Sequence, residues 1–218
     1  LTLPESINHA EKLAKIESSL GKVSEIRLLL ASQPRIARLG RKTPELLEVK
    51  LGGVALKEQF EYARNQLGKE VKVSDAFKEG DWLDVIAITK GKGIQGPVKR
   101  FGIRRKFHKA RKTVRAVGSI GGWHPHYVMY SVPRAGQTGF QQRTEYNKQV
   151  VKIGQEGKDV TPKGGFIRYG EIKAEYVMLS GTVPGPARRA ITLRHGARGT
   201  DVPPPKFDHL GLESAQGR

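Results

Sequence analysis

Hydrophobic and polar positions change period several times along the chain, and each change marks an element. Near the start, Ile7, Ala10, Leu13, Ala14 and Leu20 recur at helical spacing, behind the capping-box pair Thr2 and Glu5 and ahead of Gly21, which predicts a peripheral amphipathic helix. A compact apolar run, Ile26 to Ala31, ends at Pro34. Leu47, Val49 and Leu51 then alternate with Glu48 and Lys50 before Gly52 and Gly53, and both stretches predict strands. Val54 to Leu67 returns to a helical period through Leu56, Phe60, Ala63 and Leu67, closed by Gly68. Trp82 to Thr89 is strongly apolar and rich in β-branched residues, the pattern of a central strand. Later, short strand candidates recur at Gln149 to Ile153, Phe166 to Tyr169, Tyr176 to Ser180 and Ala190 to Arg194, with Gly or Pro between them. That spacing predicts a mainly β fold, a barrel or sandwich more than a βαβ sheet. Pro203 to Pro205 reads as an extended tail, and no internal repeat is present.

Charge changes this picture in one place. Of the 218 residues, those from Val85 to Thr144 carry thirteen Lys and Arg and no Asp or Glu, so most of the net charge of +18 sits in one segment. Leu1 to Asp84 nearly balances, with fourteen basic and thirteen acidic residues. Thirteen cations without counter-charges cannot be buried, so the segment lies either in water or against a polyanion. It is also unlike a solvated tail, since Phe101, Phe107, Trp123, Tyr127, Tyr130 and Phe140 are spread through it with nine glycines and three prolines. Cations for phosphates, rings for bases and glycines for close backbone approach are what a segment needs to thread through folded RNA.

A hydrophobic fraction of 37%, with 26 Gly and 12 Pro, is low for a self-sufficient globule of this length and implies dependence on a partner for order. No cysteine is present, so disulfides, thiolate metal sites and cysteine nucleophiles are excluded. No apolar run approaches the roughly 18 residues that cross a bilayer. A soluble, intracellular protein is the expectation, with no membrane partner.

Three motifs carry candidate chemistry. Gly91-Lys92-Gly93-Ile94-Gln95-Gly96 matches a dinucleotide fingerprint behind a predicted strand. No helical period is sustained after Pro97, however, and no acid follows to hold a ribose; a phosphate-contacting RNA loop explains the same residues. Trp123-His124-Pro125-His126-Tyr127 offers imidazoles, but no carboxylate lies near in sequence to orient a base or complete a metal site. A rigid loop tip presenting an indole and imidazoles to RNA is the favoured reading, with an ordered turn as the plain alternative. Ala135 to Arg143 joins small residues to amide side chains that read base edges and ribose hydroxyls; a plain surface loop is as compatible with its composition.

The same residues carry a resemblance. Lys90 to Arg100, Gly118 to Pro125, Ala135 to Arg143 and Ser180 to Pro186 resemble, in order, the family of the third protein of the large ribosomal subunit, over most of Trp82 to Arg194. The histidine-proline after Trp123 and the helical stretch Leu1 to Gly21 are similar to archaeal members. The resemblance implies a Greek-key β-barrel of the translation-protein type, with a helical insertion and first barrel elements at 1–81. A barrel strand at 82–89, a basic irregular extension at 90–147, returning strands at 148–195 and a tail at 196–218 complete it. Such members begin well upstream of the position matched by Leu1, so the N-terminal part is expected to be missing from this sequence.

The implied role is structural. Large-subunit ribosomal RNA and neighbouring large-subunit proteins are the expected partners, the cytoplasmic ribosome the location, and early assembly of the subunit the process, with the Trp123 tip near the peptidyl transferase centre. No catalytic residue, metal, cofactor or small-molecule substrate is expected. The Gln137 position matches a glutamine methylated in some bacterial members. Candidate RNA contacts are Lys90, Lys92, Lys99, Arg100, Arg104, Arg105, Lys106, His108, Lys109, Arg111, Lys112, Arg115, Trp123, His124, Arg134, Gln137, Gln141, Arg143, Arg188, Arg189 and Arg194. The competing readings are an RNA-processing enzyme using His124 and His126, and a non-ribosomal RNA chaperone.

Overall fold

The computed structural model describes residues 9–214 apart from 54, 111, 200, 201, 204, 206 and 207. In chain order lie α1 (His9–Ser18), β1 (Arg27–Ala31), β2 (Leu46–Lys50), α2 (Leu56–Gln66), α3 (Val73–Ala76), β3 (Trp82–Ile88), β4 (Ile94–Gln95), α4 (Pro97–Phe101), β5 (Gly136–Gln137), β6 (Gln142–Gly154), β7 (Tyr176–Leu179) and β8 (Thr192–His195). The fold is mostly β with a small helical content, and every described strand pair is antiparallel. The chain forms two compact units. One comprises Leu1–Asp81, Val150–Leu179 and Val202–Arg218, the other Trp82–Gln149 and Ser180–Asp201.

In the first unit α1 ends in a 3-10 turn at Leu20–Lys22, close to the predicted stop at Gly21. The Thr2 and Glu5 cap lies outside the described residues. β1 and β2 pair in the register Leu28↔Val49 and Leu30↔Leu47, which collects four aliphatic residues on one face because strand side chains alternate. α2 buries Phe60 and stops where Leu67 turns extended and Gly68 takes φ 79°, as a glycine can without strain. α3 begins on the Glu175 carboxylate, which accepts the amides of Val73 and Ser74 at 3.1 and 3.3 Å. The last residues of β6 pair with β7 from Val150↔Leu179 to Gly154↔Tyr176. The predicted strand at Phe166 to Tyr169 is not formed. Phe166 and Gly170 exchange both backbone hydrogen bonds at 2.9 Å and close a tight turn, which the positive φ of Gly164, Gly165, Arg168 and Gly170 makes possible. Its aromatic and β-branched composition imitates a strand, but the glycines on both sides decide.

In the second unit β3 is central. It pairs with β6 from Trp82↔Gln149 to Ile88↔Gln142 and, on its other edge, with β8 from Leu83↔His195 to Ile86↔Thr192. Leu83, Asp84 and Val85 are successive and all have no exposed surface, so both faces of the strand are covered there. β8 begins two residues later than the predicted Ala190 and extends to His195.

Candidate nucleic-acid interface

The acid-free segment leaves β3 at Thr89 and returns at β6, and its two ends are tied together. Thr89 and Gln141 exchange bonds through backbone and hydroxyl, with the Thr89 amide 2.9 Å from the Gln141 carbonyl oxygen and the Thr89 hydroxyl 3.2 Å from both the Gln141 oxygen and the Gln141 amide. Further out, the Lys92 amide donates to Thr138 and the Thr138 amide to Gly93, each at 2.9 Å. β4 and β5 continue the ladder with Ile94↔Gln137 and Gln95↔Gly136. Gly139 has φ 70°, and a Cβ there would collide with the Lys90 carbonyl, so only glycine lets the two ends approach this closely. Gln137 turns its side-chain amide back onto the Thr138 and Gly139 carbonyls at 3.3 and 3.2 Å. Gln141 accepts from Arg143 at 3.0 Å.

Beyond this neck, α4 is a five-residue helix started by Pro97 and stopped by left-handed Gly102. It is too short to be the helix of a dinucleotide fold. Arg100 donates to the Arg134 carbonyl at 3.1 Å and lies 5.0 Å from the Phe101 ring centre, so these two candidates are held in one place. From Gly102 to Thr113 the described chain is irregular. The Lys106 amide closes a loop onto Val114 at 3.0 Å, and Phe107 stacks obliquely on His108 with ring centres 4.2 Å apart. Lys90, Lys92, Lys99, Arg104, Arg105, His108, Lys109, Lys112, Arg115, Arg134 and Arg143 are exposed and Lys106 is half-buried; Arg111 lies outside the described residues. Among the described residues no ion pair involves a lysine or arginine between Lys90 and Arg143.

The far end of the loop is of a different kind. Residues 116–133 carry no charged side chain, and every residue from Gly118 to Ser131 is exposed. Trp123 is 83% exposed and Tyr130 fully so. His124 and His126 meet edge to face with ring centres 4.5 Å apart. Among the described residues no group of three His, Cys, Asp or Glu is placed to hold a metal. A cationic stem with an uncharged aromatic end can neutralise phosphates along its length and offer rings to bases at its tip. Tyr127 and Tyr130, two of the rings spread through the segment, belong to that exposed end together with Met129, although none of the three is a candidate RNA contact by sequence; the lack of charge around Trp123 marks all of them.

The three returning arginines do different things. Arg188 has φ 67° and is exposed. Arg189 is half-buried and donates to the Ile88 and Thr89 carbonyls, both at 3.0 Å. Arg194 is the partner of Asp84. Asp84 has no exposed surface and accepts from Arg194 twice, from the Ala197 amide and from the Asn147 amide. Nothing in the sequence singled out Asp84, because an acid inside an apolar run carries no signal of its partner 110 residues away.

The family described as Ribosomal protein L3 matches residues 4–204 of the chain. Large ribosomal subunit protein uL3 of Methanocaldococcus jannaschii is 46% identical over 207 residues, which covers 93% of this chain and 62% of the relative. The uL3 of Methanothermobacter thermautotrophicus is 46% identical over 211 residues, covering 94% and 63%. That of Methanococcus vannielii is 42% identical over 221 residues, covering 100% and 65%. The chain therefore spans a little under two thirds of the length of these relatives.

Proposed function

Because the chain belongs to the ribosomal protein L3 family, in its archaeal form, we propose that it is a structural constituent of the large ribosomal subunit that binds large-subunit ribosomal RNA. The observation that carries this reading is the acid-free segment, whose cations have no ion-pair partner within the described chain. Its lysines and arginines neutralise closely packed phosphates and release their counterions. The uncharged tip around Trp123 and His124 sits among bases near the peptidyl transferase centre. The strands around β3 belong to a Greek-key barrel of the translation-protein type, and the segment between β3 and β6 is its RNA-penetrating extension. The protein performs no chemistry; it sets the geometry of RNA during early assembly of the subunit, beside other large-subunit proteins in the cytoplasm.

Sedimentation of the native protein from lysate tests this, with a high-salt wash and an RNase control. Stoichiometric migration with the large subunit that survives salt and is lost with RNase is the expected result. Release in salt, or migration as free protein, would overturn it and direct attention to His124 and His126.

A further inference from the structure

We propose that Arg189 is a positioning residue that clamps the root of the basic loop, and is not one of its phosphate ligands. β8 pairs with β3 only as far as Ile86↔Thr192. Past that point no strand among the described residues lies beside this edge of β3, and backbone carbonyls left unpaired there are costly. The Arg189 side chain takes the place of the missing strand: Nη1 donates to both the Ile88 and the Thr89 carbonyl at 3.0 Å. Its guanidinium also lies 5.5 Å from the ring centre of Phe140, on the returning end of the loop. One cationic group thus bonds the outgoing end and lies over a ring of the returning end. Gly185 brings the segment carrying Arg189 into place, since a Cβ at Gly185 would stand 3.1 Å from the Ile88 carbonyl oxygen and about as far from the Arg189 side chain as ordinary contact allows.

The shape of the clamp requires arginine. A lysine retains the charge that a phosphate would need, but its ammonium is a single compact donor group that cannot bond the two carbonyls through one nitrogen while holding a second, separate part of the cation over Phe140. A phosphate ligand and a clamp therefore respond differently to Arg189→Lys. The proposal rests on the RNA-binding reading only for its consequence, the direction in which the loop leaves the strands.

The test uses the full chain and compares Arg189→Lys, Arg189→Gln and Phe140→Leu. Amide hydrogen exchange in the free protein reads the clamp without RNA. The amides of Thr89, Lys92 and Thr138 should exchange about tenfold faster or more in Arg189→Lys, as expected for loss of a charge-assisted bond, while those along β3 and β6 keep their protection. Phe140→Leu should reproduce part of the effect and add little to Arg189→Lys. The chain has no cysteine, so Ser119→Cys allows an iron chelate to be tethered near the tip for hydroxyl-radical cleavage of large-subunit ribosomal RNA. With Arg189→Lys the cleavage pattern should spread or move, while the salt dependence of RNA binding stays that of the parent. Unchanged exchange, with a salt slope reduced in Arg189→Gln and restored in Arg189→Lys, would make Arg189 a phosphate ligand and overturn the clamp. If the parent chain fails to bind the RNA, the proposed function falls and the exchange data still decide the clamp.

Discussion

Nε and Nη2 of Arg194 both donate to the same oxygen of Asp84, at 3.1 and 3.0 Å, within a strand whose residues on either side of Asp84 have no exposed surface. The Ala197 amide reaches that oxygen and the Asn147 amide reaches the other, each at 3.3 Å. A carboxylate shut away from water must be surrounded by donors. Here the donors come from β8, from the turn after it and from β6, so one acid ties three pieces of the second unit together.

Removing Arg194 should destabilise the chain more than a surface arginine would. Arg194→Ala leaves Asp84 buried with its two backbone donors only. Because the Arg194 side chain is itself half exposed, the expected loss lies near that of a hydrogen bond to a charged group, about 1.5 to 3 kcal/mol. Urea unfolding of the parent and the variant measures it, and a midpoint within error of the parent would show that the pair contributes nothing.

Acid should unfold the chain partly through the same residue. Burial pushes the Asp84 carboxyl up, yet the Ala197 amide, the Arg194 guanidinium and the Asn147 amide together outweigh burial and hold it below the usual carboxylate range. A folded-state value below the unfolded one contributes stability that is present above the unfolded pKa, about 3.9 for aspartate, and is lost as pH falls through the folded value. The acid limb of the stability curve should therefore steepen below about pH 4 and flatten in Asp84→Asn. Superimposable acid limbs for the two proteins would remove Asp84 from the account.

Gly139→Ala should open the neck without touching a charge. The residue sits at φ 70°, and the added methyl meets the Lys90 carbonyl. Such a change costs more than about 1 kcal/mol where φ is positive. Faster exchange at Thr89 and Thr138 is the expected sign, and exchange equal to the parent would show that the two ends do not need this approach.

Charge and ring should separate in RNA binding. Neutralising Arg104, Arg105 and Lys106 together to glutamine should lower the slope of log affinity against log salt by roughly 2 to 3. Trp123→Ala should leave affinity and slope nearly intact, since one exposed ring adds little to a many-charge loop, but should alter chemical probing of RNA around the tip. Unchanged probing together with normal tRNA handling would sink the role assigned to Trp123.

Most of the secondary structure was legible because periodicity is local. Leu56, Phe60 and Ala63 declare α2, and the run from Trp82 declares β3, from spacing alone. The Phe166 to Tyr169 turn imitates a strand in the sequence because its residue types favour strands, whereas the positive φ values around Gly164, Gly165 and Gly170 belong to the folded backbone. The exposed cations and Trp123 were legible for a related reason: a run without acids has no counter-charges nearby in sequence, and that absence is visible before folding.

What the amino-acid order determined by itself is thus the local part: which segments alternate, where the positive charge concentrates, and which family the motifs resemble. Only the tertiary structure decided what each arginine is for. Arg100, Arg189 and Arg194 look alike in sequence, but their partners, Arg134, Ile88 with Thr89, and Asp84, lie 34, about 100 and 110 residues away. A guanidinium bonds whatever donor-hungry oxygen the folded chain brings within 3 Å or so, and that oxygen is chosen by the strand register and the neck, not by the neighbours of the arginine in sequence.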